Sequence, residues 1–251
     1  MVSLERMERI LEILKRRKII STIELEALMY CSTSTLRRDL IELEKEGKIL
    51  RGHGEVRLLN ANNMEYIYSA RVREEEEKGK QHIAEIASTF LTNNQSIFID
   101  SSSTAAMIVP YLEKLKNLCI ITNGIDIARK LNEFENVTLF LSGGHINYGT
   151  NSSLGDFASE FINNFHADLS IISCRGLDKY GAYEANHKQA RIKQQMIKNS
   201  EKSLLLADHS KFNTSHYFKL AHYNDIDCII TDTPPIKTFQ MEVEQVCEIL
   251  W

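Results

Sequence analysis

A cluster of hydroxyl residues in the first fifty residues is followed at once by two adjacent arginines. The cluster contains Ser32, Ser34 and Thr35, and the arginines are Arg37 and Arg38. Hydroxyl and guanidinium groups are among the side chains that donate to DNA phosphates and to base edges. Further basic side chains follow shortly afterwards: Lys48, Arg51, His53 and Arg57. These residue types and spacings predict a surface that contacts nucleic acid.

Polar residues and glycines follow six short apolar segments between residues 96 and 232. They are Asp100, Ser101, Ser103 and Thr104; Thr122, Asn123 and Gly124; Ser142, Gly143 and Gly144; Ser173 and Arg175; Asp208 and Lys211; and Thr231 and Asp232. In open α/β sheets ligands bind outside the carboxyl ends of the strands, so these residues predict a pocket for a polar ligand. Residues 101–104 should also open a helix, whose N–H groups are expected to hold an anion such as phosphate. Turn formation alone explains any one of these segments, but six on one edge favour a pocket.

Other chemistries lack the motifs that they need. Neither Gly-x-Gly-x-x-Gly nor the Walker lysine motif occurs, which argues against dinucleotide and nucleoside-triphosphate binding. The five cysteines are scattered without metal-ligand spacing, as expected of reduced thiols. The densest histidines, His209, His216 and His222, show no such spacing either. We therefore predict no metal and no cofactor.

Three helices and a hairpin are predicted to position the DNA-binding group. The apolar residues expected in their core are Leu4, Met7, Ile10, Leu11 and Leu14 in the first helix, Ile23, Leu25 and Leu28 in the second, and Leu36, Leu40 and Leu43 in the third. Ser21 or Thr22 should begin the second helix, and Gly47 should end the third. Residues 48–58 then predict two strands about a turn bracketed by glycines. This order is typical of a winged helix-turn-helix, whose recognition helix enters the major groove, rather than of a small helical domain with a merely solvated charged surface.

The remainder of the chain predicts an α/β domain with a mostly parallel sheet. A helix should begin within residues 74–78 and continue through Ile83, Ile86, Ala87 and Phe90. The six apolar segments are residues 96–99, 118–121, 137–141, 169–172, 204–206 and 228–230. Because they are short, rich in β-branched residues and separated by helical lengths, they predict strands that are buried on both faces.

Length and charge indicate two domains with different surfaces. The 251 residues, 43% hydrophobic and 25% charged, fit a folded soluble protein with a small and a large domain. The asparagine-rich residues 60–63 favour a turn, so we predict domains at 1–59 and 74–251 joined by a linker at 60–73. The net charge of −4 conceals twelve Lys and Arg against ten Asp and Glu in residues 1–60, a local charge of +2. The charged first residues and the absence of any apolar run of ~20 residues predict a cytoplasmic protein without membrane contact.

Two segments of the N-terminal part carry a family signature. Residues 32–40 read Ser-Thr-Ser-Thr-Leu-Arg-Arg-Asp-Leu, and residues 50–54 read Leu-Arg-Gly-His-Gly. Together they resemble the signature of the DeoR family of bacterial transcriptional repressors. Segments at 100–104, 122–123, 143–144, 153–155, 207–212 and 230–232 extend the resemblance over essentially the whole chain. The resemblance implies a winged helix-turn-helix followed by a sensor domain similar to ribose-5-phosphate isomerases.

The resemblance also implies a function and a set of site residues. It implies a repressor of sugar or carbohydrate metabolism genes that binds operator DNA, forms a homo-oligomer (dimer or tetramer), and responds to a phosphorylated sugar or related metabolite. The effector's phosphate and sugar would lie at Asp100, Ser101, Ser103 and Thr104. The rest of the implied pocket is Asn123, Gly124, Gly143, Gly144, Lys193, Asp208 and Lys211.

Several residues depart from the family pattern. They are Glu26 for a small residue, Glu55 for a glycine, Ser102 for a glycine, Asn147 for an arginine, Arg175 for an acid and Gln189 for a glutamate. One hypothesis is that Arg175 binds the effector's phosphate in place of the arginine missing at Asn147. The alternative is that Arg175 pairs with Asp178 or Glu184, and the sequence favours neither.

The sequence is also compatible with two other functions. A sugar-phosphate isomerase with a DNA-binding appendage would need a carboxylate base, for which the candidates are Asp100, Asp178, Glu184 and Asp208. The acids lost at Arg175 and Gln189 argue against this, so we predict that the protein is not an enzyme. The third function is DNA binding with a C-terminal domain that only oligomerises, against which the polar strand edge weighs.

Overall fold

The structure, a computed structural model, describes residues 3–17, 19–45, 48–51, 54–58 and 70–251. The chain divides into two compact units, Met1–Glu74 and Glu75–Trp251. Gly47, His53 and the turn predicted at residues 60–63 lie outside the described residues. The domain bounds given above therefore stay a prediction.

Between Ser3 and Leu58, the described part of the first unit forms three helices and a small antiparallel sheet. In chain order these elements are α1 (Ser3–Arg17), β1 (Ile19–Ser21), α2 (Thr22–Met29), α3 (Thr33–Lys45), β2 (Ile49–Arg51) and β3 (Glu55–Leu58). The predicted helices and hairpin are confirmed, and β3 lies between β2 and β1. The strand β1 was not predicted, because three residues are too few to show an alternating pattern.

The core of the first unit corrects two predicted positions. Leu25 and Met29 of α2 are buried, whereas Ile23 is 83% and Leu28 36% exposed. Residues four apart lie on one face of a helix, while residues two apart point in nearly opposite directions. Ile23 therefore cannot share the buried face of Leu25. The other buried apolar side chains are Ile10, Leu14, Ile20, Leu36, Leu40, Leu43, Ile49 and Val56.

The second unit is built around a parallel sheet. Its helices are α4 (Ala70–Ser88, which begins before the unit does), α5 (Val109–Leu112), α6 (Ile125–Leu131), α7 (Asp156–Ile162), α8 (His187–Lys198) and α9 (Lys237–Val243). Its strands are β4 (Ser96–Ile99), β5 (Leu118–Thr122), β6 (Val137–Leu141), β7 (His145–Asn147), β8 (Ser152–Leu154), β9 (Ala167–Ser173), β10 (Gly176–Asp178), β11 (Gly181–Glu184), β12 (Ser200–Leu206), β13 (Phe218–Ala221), β14 (Cys228–Ile230) and β15 (Glu248–Leu250). Short 3-10 helices occur at Ala105–Ile108, His209–Lys211 and Tyr223–Asp225.

Seven parallel strands lie in the order β15-β14-β12-β9-β4-β5-β6. Six of them are the predicted strands, which confirms the α/β fold with a parallel sheet. Alternate side chains enter two separate cores: Phe98 and Ile172 lie in one, and Ile97 and Ile171 in the other. Both faces of the sheet are therefore covered, as a parallel sheet requires.

Three features of the second unit differ from the prediction. The helix α4 begins at Ala70, earlier than expected. Residues 101–104 lead into a helix as predicted, but its first four residues, Ala105–Ile108, form a 3-10 helix before α5 begins; the anion site expected at its start stays a prediction. The antiparallel pair β7-β8 follows the carboxyl end of β6, and the three-stranded antiparallel sheet β10-β11-β13 has two strands that follow β9 and one that follows β12; neither was predicted. Among the described helices, none is both long and apolar enough to cross a membrane.

Candidate functional site

The outward face of α3 presents the predicted DNA-binding residues. Ser34, Arg37, Arg38 and Ile41 recur at helical spacing and are exposed, whereas Leu40 faces the core. Neither arginine forms an ion pair with a residue that the structure describes. Their guanidinium groups therefore remain available for phosphates or base edges.

The hydroxyl residues before these arginines shape the start of α3. The Ser32 carbonyl accepts the N–H of Leu36 at 3.0 Å, and the Ser32 hydroxyl lies 2.8 Å from the Thr35 hydroxyl and 3.0 Å from that of Ser34. Ser32 thus caps the helix. The Thr33 hydroxyl donates to Glu26 Oε1 at 2.5 Å, so this unexpected glutamate joins α2 to α3.

The acid of the Arg-Arg-Asp-Leu segment has a structural role. Asp39 is 3% exposed, and its two carboxylate oxygens accept from Arg6 Nε at 2.7 Å and Arg6 Nη2 at 3.1 Å. The hydrogen bond with Asp39 raises the pKa of Arg6 above its usual value. This bidentate pair joins α1 to α3 and so orients the helix that carries Arg37 and Arg38.

The hairpin of β2 and β3 is the predicted wing, and the structure describes its residues 48–51 and 54–58. Arg51 donates its backbone N–H to Glu44 Oε1 at 3.1 Å, and its guanidinium lies 3.8 Å from Glu44 Oε2. Lys48 is exposed, Arg57 lies in β3, and nothing is described of the Arg57 side chain. Because Arg51 is held against α3, the wing and the recognition helix form one surface.

A buried ion cluster lies where β4, β9 and β11 end. Lys193 of α8 is 4% exposed, and its Nζ lies 2.9 Å from Asp100 Oδ2 and 2.7 Å from the Ser173 carbonyl oxygen. It also donates to Glu184 Oε1. Burial by itself lowers the pKa of Lys193. The negative charges of Asp100 and Glu184 and their hydrogen bonds together raise it by more, so the net shift of the pKa is upward. An ammonium has three protons, so all the donors of Lys193 are used within this Lys193 cluster (Asp100, Ser173, Glu184 and Lys193).

Asp100 is equally saturated. Its Oδ1 accepts the backbone N–H of Ser102 at 3.0 Å and the Ser102 hydroxyl at 2.5 Å. Its Oδ2 accepts from Ser173 N at 3.2 Å as well as from Lys193. Four hydrogen bonds fill a carboxylate, so Asp100 fixes the loop after β4. The hydroxyl that Ser102 adds, where the family pattern has glycine, takes part in this arrangement.

Two amide side chains link the neighbouring strand ends. Asn123 Nδ2 donates to the Ser153 carbonyl oxygen at 3.2 Å and to Ser101 Oγ at 3.4 Å. Gln189 Nε2 donates to Ser152 Oγ at 3.0 Å. Gln189 lies one turn before Lys193 on the buried face of α8, so the amides and the ion cluster surround the same edge of the sheet. The sequence did not assign Gln189 or Ser153 to the site, although the four-residue spacing to Lys193 was a usable signal.

Besides one carboxylate oxygen of Asp208, four buried hydroxyl and amide oxygens at this edge have no hydrogen-bond partner among the described residues. They are Asn123 Oδ1, Ser142 Oγ, Ser153 Oγ and Gln189 Oε1, which together we call the strand-end oxygens. An unsatisfied buried acceptor costs about 1–3 kcal/mol, so their concentration in one place needs a reason. Ligand recognition supplies one, because such oxygens accept hydrogen bonds from a bound molecule.

Two predicted site glycines are required by close packing. A Cβ at Gly124 would lie 3.0 Å from Ser101 Cα. Gly144 has φ +139°, and a Cβ there would lie 2.7 Å from the Leu154 carbonyl oxygen. Gly143, by contrast, is exposed and has no atom within 4 Å of an added Cβ. The two adjacent glycines therefore differ in what they tolerate.

The Gly144→Ala substitution is expected to lower the free energy of unfolding by about 1–3 kcal/mol, because it combines backbone strain with a steric overlap. The Gly143→Ala control should change it by no more than about 0.5 kcal/mol. Urea denaturation followed by fluorescence measures both. Equal stability of the two variants would contradict this account of the Gly143-Gly144 pair.

Asp208 and Lys211 follow β12, the strand next to β9 in the parallel sheet. Asp208 is 1% exposed and its Oδ1 accepts the Ser210 N–H at 3.0 Å. Its Oδ2 makes no hydrogen bond within the described residues but lies 3.6 Å from Lys211 Nζ. Burial raises the pKa of the nearby Cys174 thiol to about 12, with the charge of Glu184 adding to the effect. Cys174 is therefore a neutral thiol rather than a nucleophile.

The remaining predicted residues are placed differently. Thr104 is buried, whereas Ser103 is exposed and contributes no described contact to the strand-end oxygens. Arg175 is half-buried, and its backbone N–H donates to the Tyr183 carbonyl oxygen at 2.9 Å. Glu184, one of the two acids considered as a partner for Arg175, is held by Lys193. Glu184, which the sequence offered only as a base for an isomerase or as a partner of Arg175, is thus a member of the Lys193 cluster.

Two grooves lie beside α8, away from the face that carries Gln189 and Lys193. One of about 310 Å³ is lined by residues that include His187, Arg191 and Phe218, and one of about 200 Å³ by residues that include Asp156 and Arg191. Neither contains a predicted effector residue. Over the described part of the chain, no group of three or more His, Cys, Asp or Glu residues is arranged to hold a metal.

Comparisons with known proteins match both units. Residues 6–62 match the DeoR-like helix-turn-helix domain, and residues 75–233 match the DeoR C terminal sensor domain. The HTH-type transcriptional repressor GlcR of Bacillus subtilis (strain 168) is 29% identical over 94% of this chain and 90% of its own. The glycerol-3-phosphate regulon repressor of Escherichia coli (strain K12) is 30% identical over 90% of this chain and 89% of its own. Among solved structures, ribose 5-phosphate isomerase from Plasmodium falciparum is similar at a TM-score of 0.39 and 16% identity, over 54% of this chain and 52% of that one.

The matched ranges coincide with the features described above. The helix-turn-helix match includes the exposed arginines of α3, and the sensor match includes the Lys193 cluster and the strand-end oxygens. The chain belongs to the DeoR family of DNA-binding transcriptional regulators.

Proposed function

We propose that the protein represses genes of carbohydrate metabolism and changes its operator affinity when a phosphorylated sugar or related metabolite binds beside the strand-end oxygens. The observation that carries the proposal is the concentration of these four buried, unpartnered oxygens. A sugar has several hydroxyl donors, which amide and hydroxyl oxygens accept. The relatives named as repressors, one of them of a glycerol-3-phosphate regulon, support the proposal of a repressor in carbohydrate metabolism.

The side chains of the site divide between the two parts of such an effector. Asn123 and Gln189 are held through their NH2 groups, which leaves their oxygens for sugar hydroxyls. The phosphate is assigned to the two other cations that follow strands of this sheet, Arg175 and Lys211, because all three protons of Lys193 are used within its own cluster; both cations also have contacts within the protein. Asp100 and Lys193 then act by positioning the loop after β4. Ser101, Ser103, Thr104, Gly124, Gly143, Gly144 and Asp208 complete the proposed site.

At the operator, Arg37, Arg38 and Ser34 would contact bases, while Ser32, Thr35 and the wing residues Lys48, Arg51, His53 and Arg57 would contact the backbone or support these contacts. Helix-turn-helix proteins bind paired half-sites as dimers, so the proposal includes a homo-oligomer. It also includes a cytoplasmic location, where the DNA is. A DNase footprint with two protected half-sites about one helical turn apart would support this arrangement.

The proposal excludes catalysis at the same edge. A general base needs a lone pair directed at the substrate. Of the candidate carboxylates, Asp100 already accepts four hydrogen bonds and Glu184 is paired with Lys193, while Asp208 Oδ2 lies 3.6 Å from the Lys211 ammonium that we assign to the effector's phosphate. We therefore expect no interconversion of aldose and ketose phosphates by the purified protein. Turnover in that assay would contradict the proposal and show that the protein is an enzyme that also binds DNA.

A thermal-shift panel of pentose, hexose and triose phosphates tests the effector class. A ligand at a hundred times its Kd should stabilise the second unit by about 2.7 kcal/mol, which is a readily measured rise in Tm. In Arg175→Ala the affinity for that ligand should fall roughly 10- to 100-fold, because a charged hydrogen bond contributes about 1.5–3 kcal/mol. In Gln189→Leu it should fall roughly tenfold or less, and in the control Gln194→Leu, on the outward face of α8, it should not change. Unchanged affinity in Arg175→Ala would exclude Arg175 as the phosphate contact, and a panel without any binder would contradict the effector class.

A further inference from the structure

The loop that carries two proposed effector residues is tied to a neighbouring strand end by an unusual pair. In the 3-10 helix His209–Lys211, the backbone N–H of His209 donates to Asp232 Oδ1 at 2.7 Å. The Nδ1 atom of the same histidine lies 2.6 Å from Asp232 Oδ2. Both carboxylate oxygens of Asp232 thus hold one residue of the loop that also contains Asp208 and Lys211. Only 7% of the Asp232 side chain is exposed. Hydrogen bonds to a buried carboxylate are stronger than the same bonds in water, because the local dielectric is lower.

The same carboxylate touches the helix α4. A Cβ on Gly79 would lie 2.7 Å from Asp232 Oδ2, 3.2 Å from its Cγ and 3.3 Å from its Cβ. No side chain larger than hydrogen fits at Gly79 without displacing Asp232. A glycine inside a helix costs about 1 kcal/mol relative to alanine, so this close approach gives the residue a packing reason.

The helix α4 spans the boundary between the two units. It begins at Ala70, ahead of the unit boundary at Glu75, and its residues Ile83, Ala84 and Ala87 lie in the core beneath the sheet. Gly79 lies between the first turns of α4 and this anchored part. A displacement of Asp232 would therefore act on α4 a few residues after the boundary between the two units.

We propose that Asp232 couples the effector loop Asp208–Lys211 to α4 and so transmits the state of the loop to the DNA-binding unit. The proposal rests on the proposed function, since it assumes that this loop senses the effector. Asp232 is a positioning residue in this account. It needs no contact with effector or operator, because its carboxylate joins His209 on one side and Gly79 on the other.

A mutant cycle on the full-length chain tests the coupling without any effector. An operator is first selected from random duplex DNA, and its Kd is then measured for wild type, Lys211→Met, Asp232→Ala and the double variant. Lys211→Met imitates a change in the loop and should change the operator Kd at least fivefold, within the usual range of allosteric coupling. In the Asp232→Ala background, the same substitution should change it less than twofold, because the path to α4 is broken.

Asp227 supplies a matched control at the opposite end of the same strands. Its Oδ2 accepts the backbone N–H of Ser203 at 2.7 Å, a hydrogen bond like that between Asp232 and His209. In the Asp227→Ala background, Lys211→Met should retain its full effect on the operator Kd. An equal effect of Lys211→Met in all three backgrounds, no effect in any, or loss of its effect with Asp227→Ala would overturn the proposal.

A second cycle uses the other end of the link and serves if Lys211→Met does not fold. Gly79→Ala should change the operator Kd at least fivefold, because its Cβ displaces the Asp232 carboxylate. Addition of Asp232→Ala should bring the Kd back to within twofold of Asp232→Ala alone, since the obstructing oxygens are gone. Failure of this rescue would overturn the proposal. Neither cycle contains a sugar phosphate, so coupling without any binder in the thermal-shift panel would fault the effector class and leave the link standing.

Discussion

Replacement of both exposed arginines of α3, in the Arg37→Ala/Arg38→Ala variant, is expected to weaken operator binding by about 2–6 kcal/mol. Each arginine should contribute about 1–3 kcal/mol if it makes a bidentate contact with a base. The sum corresponds to a loss of at least roughly thirtyfold in affinity. Both side chains are exposed on the face of α3 opposite Leu40, so their removal should leave the folded unit intact. Fluorescence anisotropy with labelled operator measures the loss.

The salt dependence of the same variant separates the two kinds of contact. Each phosphate contact that is lost lowers the slope of log Kobs against log salt by ~1, whereas a lost base contact leaves the slope unchanged. Arg129→Ala/Lys130→Ala is the matched control, because these are also adjacent, exposed cations on a helix. It should bind operator like the wild type. Full operator affinity in the Arg37/Arg38 variant would show that another element enters the groove.

The sequence predicted the parts of the fold that rest on continuous apolar runs. All six predicted strands lie in the parallel sheet, because strands covered on both faces need uninterrupted apolar residues. The first residues of β9 and β12 were missed, since Asp168 and Glu201 interrupt that pattern. Asp168 nevertheless lies at the amino end of β9, and its Oδ2 accepts the Ser96 N–H of the neighbouring strand β4 at 2.7 Å. The short strands β10 and β11 contain glycine and polar residues, so no period identifies them.

The sequence predicted where the candidate effector site lies, but not which of its residues are held by other protein groups and which can bind a ligand. The polar residues after each strand pointed to one edge of the sheet, and Asp100, Asn123 and Lys193 do lie there. Which of them still have capacity for a ligand depends on partners that are distant in sequence. Lys193 is saturated by Asp100 and Glu184, at separations that no local pattern reveals. The strand-end oxygens were likewise invisible, because an unpartnered atom is defined only by its surroundings.

The Lys193→Met substitution is expected to destabilise the second unit by about 3–5 kcal/mol. It leaves the carboxylates of Asp100 and Glu184, 0% and 3% exposed, buried without their counter-ion. Typical domains have total stabilities of about 5–15 kcal/mol, so such a loss would be a large fraction of the whole. The single tryptophan, Trp251, directly follows β15 of the parallel sheet, so its fluorescence in urea reports the unfolding of this unit.

Two further variants separate the buried charge from the loss of a long side chain. Lys188→Met, on the exposed side of the same helix, should change the stability by no more than about 0.5 kcal/mol. Lys193→Met/Glu184→Gln should be more stable than Lys193→Met alone, because it removes one of the two unpaired charges while Asp100 keeps its bonds from Ser102 and Ser173. If this double variant were instead less stable than Lys193→Met, the ammonium would be holding the strand ends by packing and hydrogen bonding rather than by neutralising charge. The direction of that single difference decides why a lysine with no proton to offer a ligand lies at the centre of the site.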